Sequence, residues 1–169
     1  MRKVRVFLLV YLLFGLSMAV SAYVIDIYPL EIAAGYLSRA MSAGNADDMV
    51  SYTTQAYRLI PPLGNPVWIL PTHRTDFNLI RADIASILDR LSTISRTPRD
   101  TAAYAQTLND ARGRLEVIIG HLYEAMPYIY LKPVNLAAAA AYLSTPVLAW
   151  KLFARRGKVA ERPRDGLQA

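Results

Sequence analysis

Apolar positions recur along this chain in two ways, as unbroken blocks near the ends and as helical stripes between them. The first block, VFLLVYLLFGLSMAVSAYVI from Val6 to Ile25, carries no charge and is long enough to cross a bilayer as a helix. The second, PVNLAAAAAYLSTPVLAW from Pro133 to Trp150, is also uncharged and lies between Lys132 and Lys151. After the first block, Pro29 predicts a break or kink, and Leu30, Ala33, Leu37 and Ala40 then form a helical stripe that Gly44 closes. Asn45, with Asp48 three residues on, starts the next helix. Met49, Tyr52, Ala56 and Leu59 stripe it, and Pro61-Pro62 ends it.

The clearest periodicity follows. Phe77, Ile80, Ile84, Ile87, Leu91 and Ile94 alternate steps of three and four, as do Tyr104, Leu108, Ala111, Leu115, Ile118, Leu122 and Ala125. Such seams pack two helices side by side. Thr97-Pro98-Arg99-Asp100 supplies a cap, a first-turn proline and an acid for the second of them. The short turn makes the pair antiparallel. The expected fold is all-α: two transmembrane helices flanking an extracytoplasmic antiparallel four-helix bundle whose last two helices form a long hairpin. The expected boundaries are 1–5 for a basic N-terminus, 6–28 for the first span and 29–127 for the bundle, then 128–153 for the second span and 154–169 for a basic tail.

Charge sets the orientation. Arg2, Lys3 and Arg5 precede the first block, and Lys151, Arg155, Arg156, Lys158, Arg162 and Arg164 follow the second. Between Asp26 and Leu131 stand 9 Arg, no Lys and 11 acidic residues. Short basic flanks stay on the cytoplasmic side, which puts both termini inside and the middle outside, in the cell membrane. The net charge of +6 is then a topology signal and calls for no nucleic acid. A cleaved leader ending at Val20-Ser21-Ala22 is the alternative for the N-terminus, but the apolar run continues through Tyr23, Val24 and Ile25. With no cysteine, the outer domain is held by helix packing and the membrane.

Candidate chemistry is sparse. The linker PPLGNPVWILPTHRT, Pro61 to Thr75, is irregular, and its apolar centre suits a plug under the bundle or a place for Trp68 in the interfacial aromatic belt. Alternatively Trp68, His73 and Arg74 form a ligand or partner site, since long ordered loops often carry binding residues. His121 and Glu124 have the spacing of a bundle metal motif, but the matching glutamates and histidines on other helices are missing. Arg81, Arg90, Arg112 and Arg114 alternate with Asp83, Asp89, Asp110 and Glu116, which predicts a solvated face laced with ion pairs. No phosphate loop, nucleophile elbow, zinc spacing or dinucleotide fingerprint is found, so neither metal nor other cofactor is expected. In the second block Asn135, Ser144 and Thr145 are expected to face protein, and the alanine run Ala137 to Ala141 allows close helix approach.

The fourth bundle helix, from about Pro98 to Met126, is expected to reach roughly 40 Å and the first two about half of that. The distal hairpin should then stand clear and expose Leu88, Leu91 and Tyr104 to a second copy or another membrane-protein subunit. In layout, the span, outer bundle and returning span from Met1 to Arg156 resemble the sensory half of chemoreceptors and related transmembrane sensors, with no motif matched residue by residue. Those receptors continue into a cytoplasmic signalling domain, whereas KLFARRGKVAERPRDGLQA follows the second block here and is not expected to form one. The expected function is that of a non-enzymatic accessory or scaffold subunit of a membrane complex, in contact with lipid. A stand-alone sensor acting through a separate partner is the alternative, and a subunit lending residues to a shared enzyme site is a third.

Overall fold

The structure, a computed structural model, describes the backbone of residues 2–160 and the side chains of residues 5–151. The basic flanks Arg2, Lys3, Arg155, Arg156, Lys158, Arg162 and Arg164 lie outside the described side chains. Among the described residues six α-helices follow in order: α1 Arg2–Ala22, α2 Tyr28–Met41, α3 Ala46–Leu59, α4 Phe77–Ile94, α5 Ala102–Tyr130 and α6 Pro133–Ala160. No strand occurs among the described residues, so the fold is all-α. The chain divides into two compact units, Met1–Lys132 and Pro133–Ala169.

In the first unit, α1 and α2 are one uninterrupted helix joined by a π-helical turn, Tyr23–Ile27. The break expected at Pro29 does not occur. The Tyr28 N–H reaches back to the Tyr23 carbonyl, and Pro29 falls at the second position of α2. There the wider turn accommodates a residue without an N–H. Among the described residues, Arg5–Ser42 is the one helix long and apolar enough to cross a membrane, its most apolar stretch having mean hydropathy 2.2 and no buried residue.

Helices α2 to α5 form an antiparallel bundle in which α2 packs on α3 and α5, and α4 packs on α3 and α5. The stripes read from sequence line its core. Leu30, Ala33, Leu37 and Ala40 are fully buried, as are Ile84, Leu91, Leu115 and Leu122. In α3 the stripe turns slightly from the expected one. Met49, Thr53 and Ala56 are buried with Ile60, while Tyr52 and Leu59 are only half-buried. Helix starts obey local capping. The Asn45 side chain accepts from the Asp48 N–H at 2.9 Å, as expected. The cap of α5, however, is Thr101 and not Thr97. The Thr101 N–H and hydroxyl both bond the Pro98 carbonyl, which makes residues 98–101 a turn, and the same hydroxyl accepts from Tyr104 N–H at 3.3 Å. Thr97 instead closes α4 by donating its N–H to the Ile94 carbonyl at 2.8 Å. Gly44 is not a left-handed terminator either, because Gly64 is the one glycine with positive φ among the described residues.

The distal part of α4 and α5 does not stand clear of α2 and α3 as expected, and side chains of the long hairpin show why. Arg112 donates Nε to the Met41 carbonyl at 2.9 Å and Nη2 to the Ala43 carbonyl at 2.8 Å, capping α2. The Tyr104 hydroxyl accepts from the Ala46 N–H at 2.8 Å, capping α3. Arg81 donates to the Tyr57 and Ile60 carbonyls at 2.7 and 2.8 Å and lies 3.8 Å from the Tyr57 ring centroid. A helix C-terminus attracts a cation, and an orphan N–H needs an acceptor. The short pair α2–α3 is therefore clamped over the upper part of the long pair. Leu91 and Tyr104 end up in the core, 0% and 5% exposed, and Leu88 is half-buried.

Among the described residues one core group lacks a partner: the Thr53 hydroxyl is buried without a hydrogen bond. Thr53→Val keeps the shape and removes the desolvated hydroxyl, so it should stabilise the bundle by about 1 kcal/mol. A midpoint shift in thermal melts followed by circular dichroism checks this. A loss of stability would mean that the hydroxyl is bonded in solution.

In the second unit, α6 is a helix of 28 residues. It covers most of the expected second span but starts at Pro133 and not at residue 128, because α5 continues through Pro127 to Tyr130. Its alanine run and polar residues dilute its apolarity. The Ser144 and Thr145 hydroxyls donate to the Ala141 carbonyl within the helix at 2.9 and 3.0 Å, which satisfies them without another helix.

Candidate membrane-proximal site

The residues with most chemical character gather where the apolar end of α1 gives way to the bundle. Asp26, set in the π turn, accepts from Lys132 Nζ at 3.1 Å across 106 residues of sequence. Both side chains are partly exposed, so the pair adds a modest amount of stability and mainly fixes the end of α5 beside the end of α1. Tyr23, one turn before, donates its hydroxyl to Glu31 Oε2 at 2.6 Å and lies 6.2 Å from the Tyr28 ring. The α5 chain end is closed by the Leu131 and Lys132 N–H groups, which bond the Tyr128 and Ile129 carbonyls.

The linker docks at this same level. Gly64, at φ +108°, makes a turn that few other residues tolerate, and its carbonyl accepts from the Phe77 N–H at 3.0 Å. Asn65 then acts as the internal clasp. Its side-chain nitrogen donates to the Thr72 carbonyl at 2.8 Å, and its oxygen accepts from Val67 N–H at 3.0 Å and the Thr75 hydroxyl at 2.8 Å. Thr75 is buried, and the short 3₁₀ turn His73–Thr75 packs on α4 and α5. The loop is thus ordered despite its prolines. Trp68 reaches across it to donate its indole N–H to the Leu131 carbonyl at 2.7 Å. A cavity of about 250 Å3 lies between the loop and α5, lined by Trp68, Leu70, Tyr128 and Leu131 among others.

Of the residues singled out by sequence, Trp68 is 47% exposed, so it does not plug the bundle base. His73 and Arg74 are exposed on the 3₁₀ turn, and no hydrogen bond or ion pair joins either side chain to Trp68 among the described residues. Leu91 and Tyr104 belong to the core and Leu88 to its margin, so these three do not form an exposed surface. His121 is half-buried on α5, with Glu124 exposed, and no group of three metal-ligating side chains comes together among the described residues. The ion-paired face also needs correction. Among the described residues Arg81 and Arg112 bond carbonyls, and the ion pairs are Arg99–Asp47 at 3.3 Å and Lys132–Asp26. Sequence reasoning missed Asp26, Asn65 and Lys132. The opposite charges bordering the two apolar blocks were the available signal for Asp26 and Lys132.

Compared with known proteins, the chain matches no family model, no curated protein and no solved structure.

Proposed function

We propose that this is a non-enzymatic integral membrane protein in which α1 and α6 both span the cell membrane and hold the α2–α5 bundle on the outer side. In this reading it serves as an accessory or scaffold subunit of a membrane complex. The observation that carries it is the unbroken passage of α1 into α2, which leaves no flexible linker between an apolar helix and a packed bundle. An outer domain so joined presents a surface at a fixed orientation, which suits a subunit that positions others. The basic residues outside both apolar blocks support the inward placement of the termini. The partner in this reading is a different membrane protein; a second copy of the chain is the partner in the alternative reading below.

Two measurements test this. A cysteine at Arg99, on the exposed turn between α4 and α5, should label with an impermeant thiol reagent in whole cells, and one at Lys158 should label only after permeabilisation. Labelling at Lys158 in intact cells would sink the two-span arrangement. Purification in mild detergent should bring down a stoichiometric partner. The same unbroken helix favours a second reading, a sensor whose bundle passes motion through the π turn to the span. Recovery as a homodimer without another protein supports that reading over the scaffold.

A further inference from the structure

The linker 61–75 carries apolar side chains that the bundle does not cover. Leu63, Ile69 and Leu70 are 73%, 70% and 78% exposed, although the loop around them is clasped by Asn65 and anchored by Trp68. Exposed apolar side chains gathered in one ordered loop mark a surface that meets something apolar. Their position identifies it. Trp68 is held by Leu131, the next residue Lys132 is paired with Asp26, and Asp26 directly follows the exposed end of the apolar run, Val24 and Ile25. The loop therefore sits level with the point where α1 leaves its apolar stretch.

Tyr28, Tyr128 and Tyr130, each 40% or more exposed, ring this level. Tyrosine and tryptophan, apolar bodies with a polar tip, are the residues that favour the boundary between acyl chains and headgroups. Arg74, exposed on the same loop, adds a cation suited to headgroup phosphate. We propose that the linker is a bilayer-dipping loop: Trp68 sits at headgroup level, and Leu63, Ile69 and Leu70 enter the outer edge of the acyl region of the membrane that α1 crosses. Lipid is favoured over a protein partner because the loop is tied, through Trp68–Leu131 and Lys132–Asp26, to the end of α1, where the apolar side chains of Val24 and Ile25 are exposed. The inference rests on the membrane-anchored reading above and adds to it a lipid-binding site that the spans do not require. Its effect is mechanical, because a loop held in the interface stops the bundle and α1 from tilting together in the bilayer.

The test uses the full chain carrying Trp150→Phe, which leaves Trp68 as the single tryptophan. It is reconstituted into phosphatidylcholine vesicles brominated either high or low on the acyl chain. Trp68 fluorescence should be quenched more strongly by the shallow bromines. Adding Leu63→Ser, Ile69→Ser and Leu70→Ser together should abolish that quenching and leave helix content and melting temperature unchanged. Trp68 unquenched by shallow bromines, in vesicles that retain the chain through an alkaline wash, overturns the dipping loop and leaves the span intact. Release of the chain by the wash overturns the membrane anchor itself, and the loop proposal with it. A clear drop in melting temperature for the triple variant also counts against the proposal, since those side chains would then be packed on protein.

Discussion

Leu91→Glu is expected to unfold the bundle rather than dissociate an assembly. Leu91 is fully buried among the core residues of α4 and its neighbours. Replacing it removes a packed side chain and places a carboxyl group where neither water nor a partner is available. The lost packing alone is worth about 2–5 kcal/mol, and burying the polar group adds several kcal/mol more. Domains of this kind have only about 5–15 kcal/mol of stability in total. Loss of the 222 nm helical signal and of a cooperative melt in mild detergent is the expected readout. Leu88→Glu is the control, because Leu88 is half-buried at the edge of the same helix and its change should cost far less. If Leu91→Glu melts like the parent and changes only the oligomeric state, the distal hairpin is open in solution and the clamp by α2–α3 does not hold there.

Arg112→Met is the second large loss. The substitution keeps much of the aliphatic stem but removes donors to the Met41 and Ala43 carbonyls and to Asn109 Oδ1 at 2.8 Å. Bonds from a charged donor contribute about 1.5–3 kcal/mol each, and partial exposure reduces their sum, so a loss of about 2–4 kcal/mol is expected. Arg112→Lys should restore little, because one ammonium cannot serve two carbonyls in the geometry of a planar fork. Chemical denaturation of the three proteins side by side decides it. Full rescue by lysine would show that charge near the α2 C-terminus matters and the fork does not. Hydrogen exchange adds a positional check, since the amides around the α2–α3 turn should lose protection before those of α4.

What could be read from the sequence divides according to range. The seams of α4 and α5 were legible because a heptad pattern is a local property and both helices have one dry side. The Asn45 cap was legible for the same reason. The Thr97 cap was misplaced because two threonines flank Pro98-Arg99-Asp100, and only the turn closed by the Pro98 carbonyl decides between them. Pro29 misled because proline forbids an ordinary mid-helix bond but not a place just after a π turn. The largest error, the exposed distal hairpin, came from comparing helix lengths alone. The contacts that settle the matter join Tyr104 to Ala46 across 58 residues and Arg112 to Met41 across 71, and no local pattern announces them. The linker was recognised as a candidate site from its composition. Its tie to Leu131 spans 63 residues and was beyond reach.

The π turn has an angular consequence. An α-helix advances about 100° of rotation per residue, and a π turn accommodates one residue more than the α-helical register allows. Deleting a single residue between Tyr23 and Ile27 would remove that surplus and leave the face of α1 nearly unturned, whereas straightening the turn with all five residues kept would rotate α1 by about 100° relative to the bundle. The side of α1 presented to any neighbour is thus held by the π geometry of this one turn. Re-indexing it would break the Tyr23–Glu31 and Asp26–Lys132 contacts.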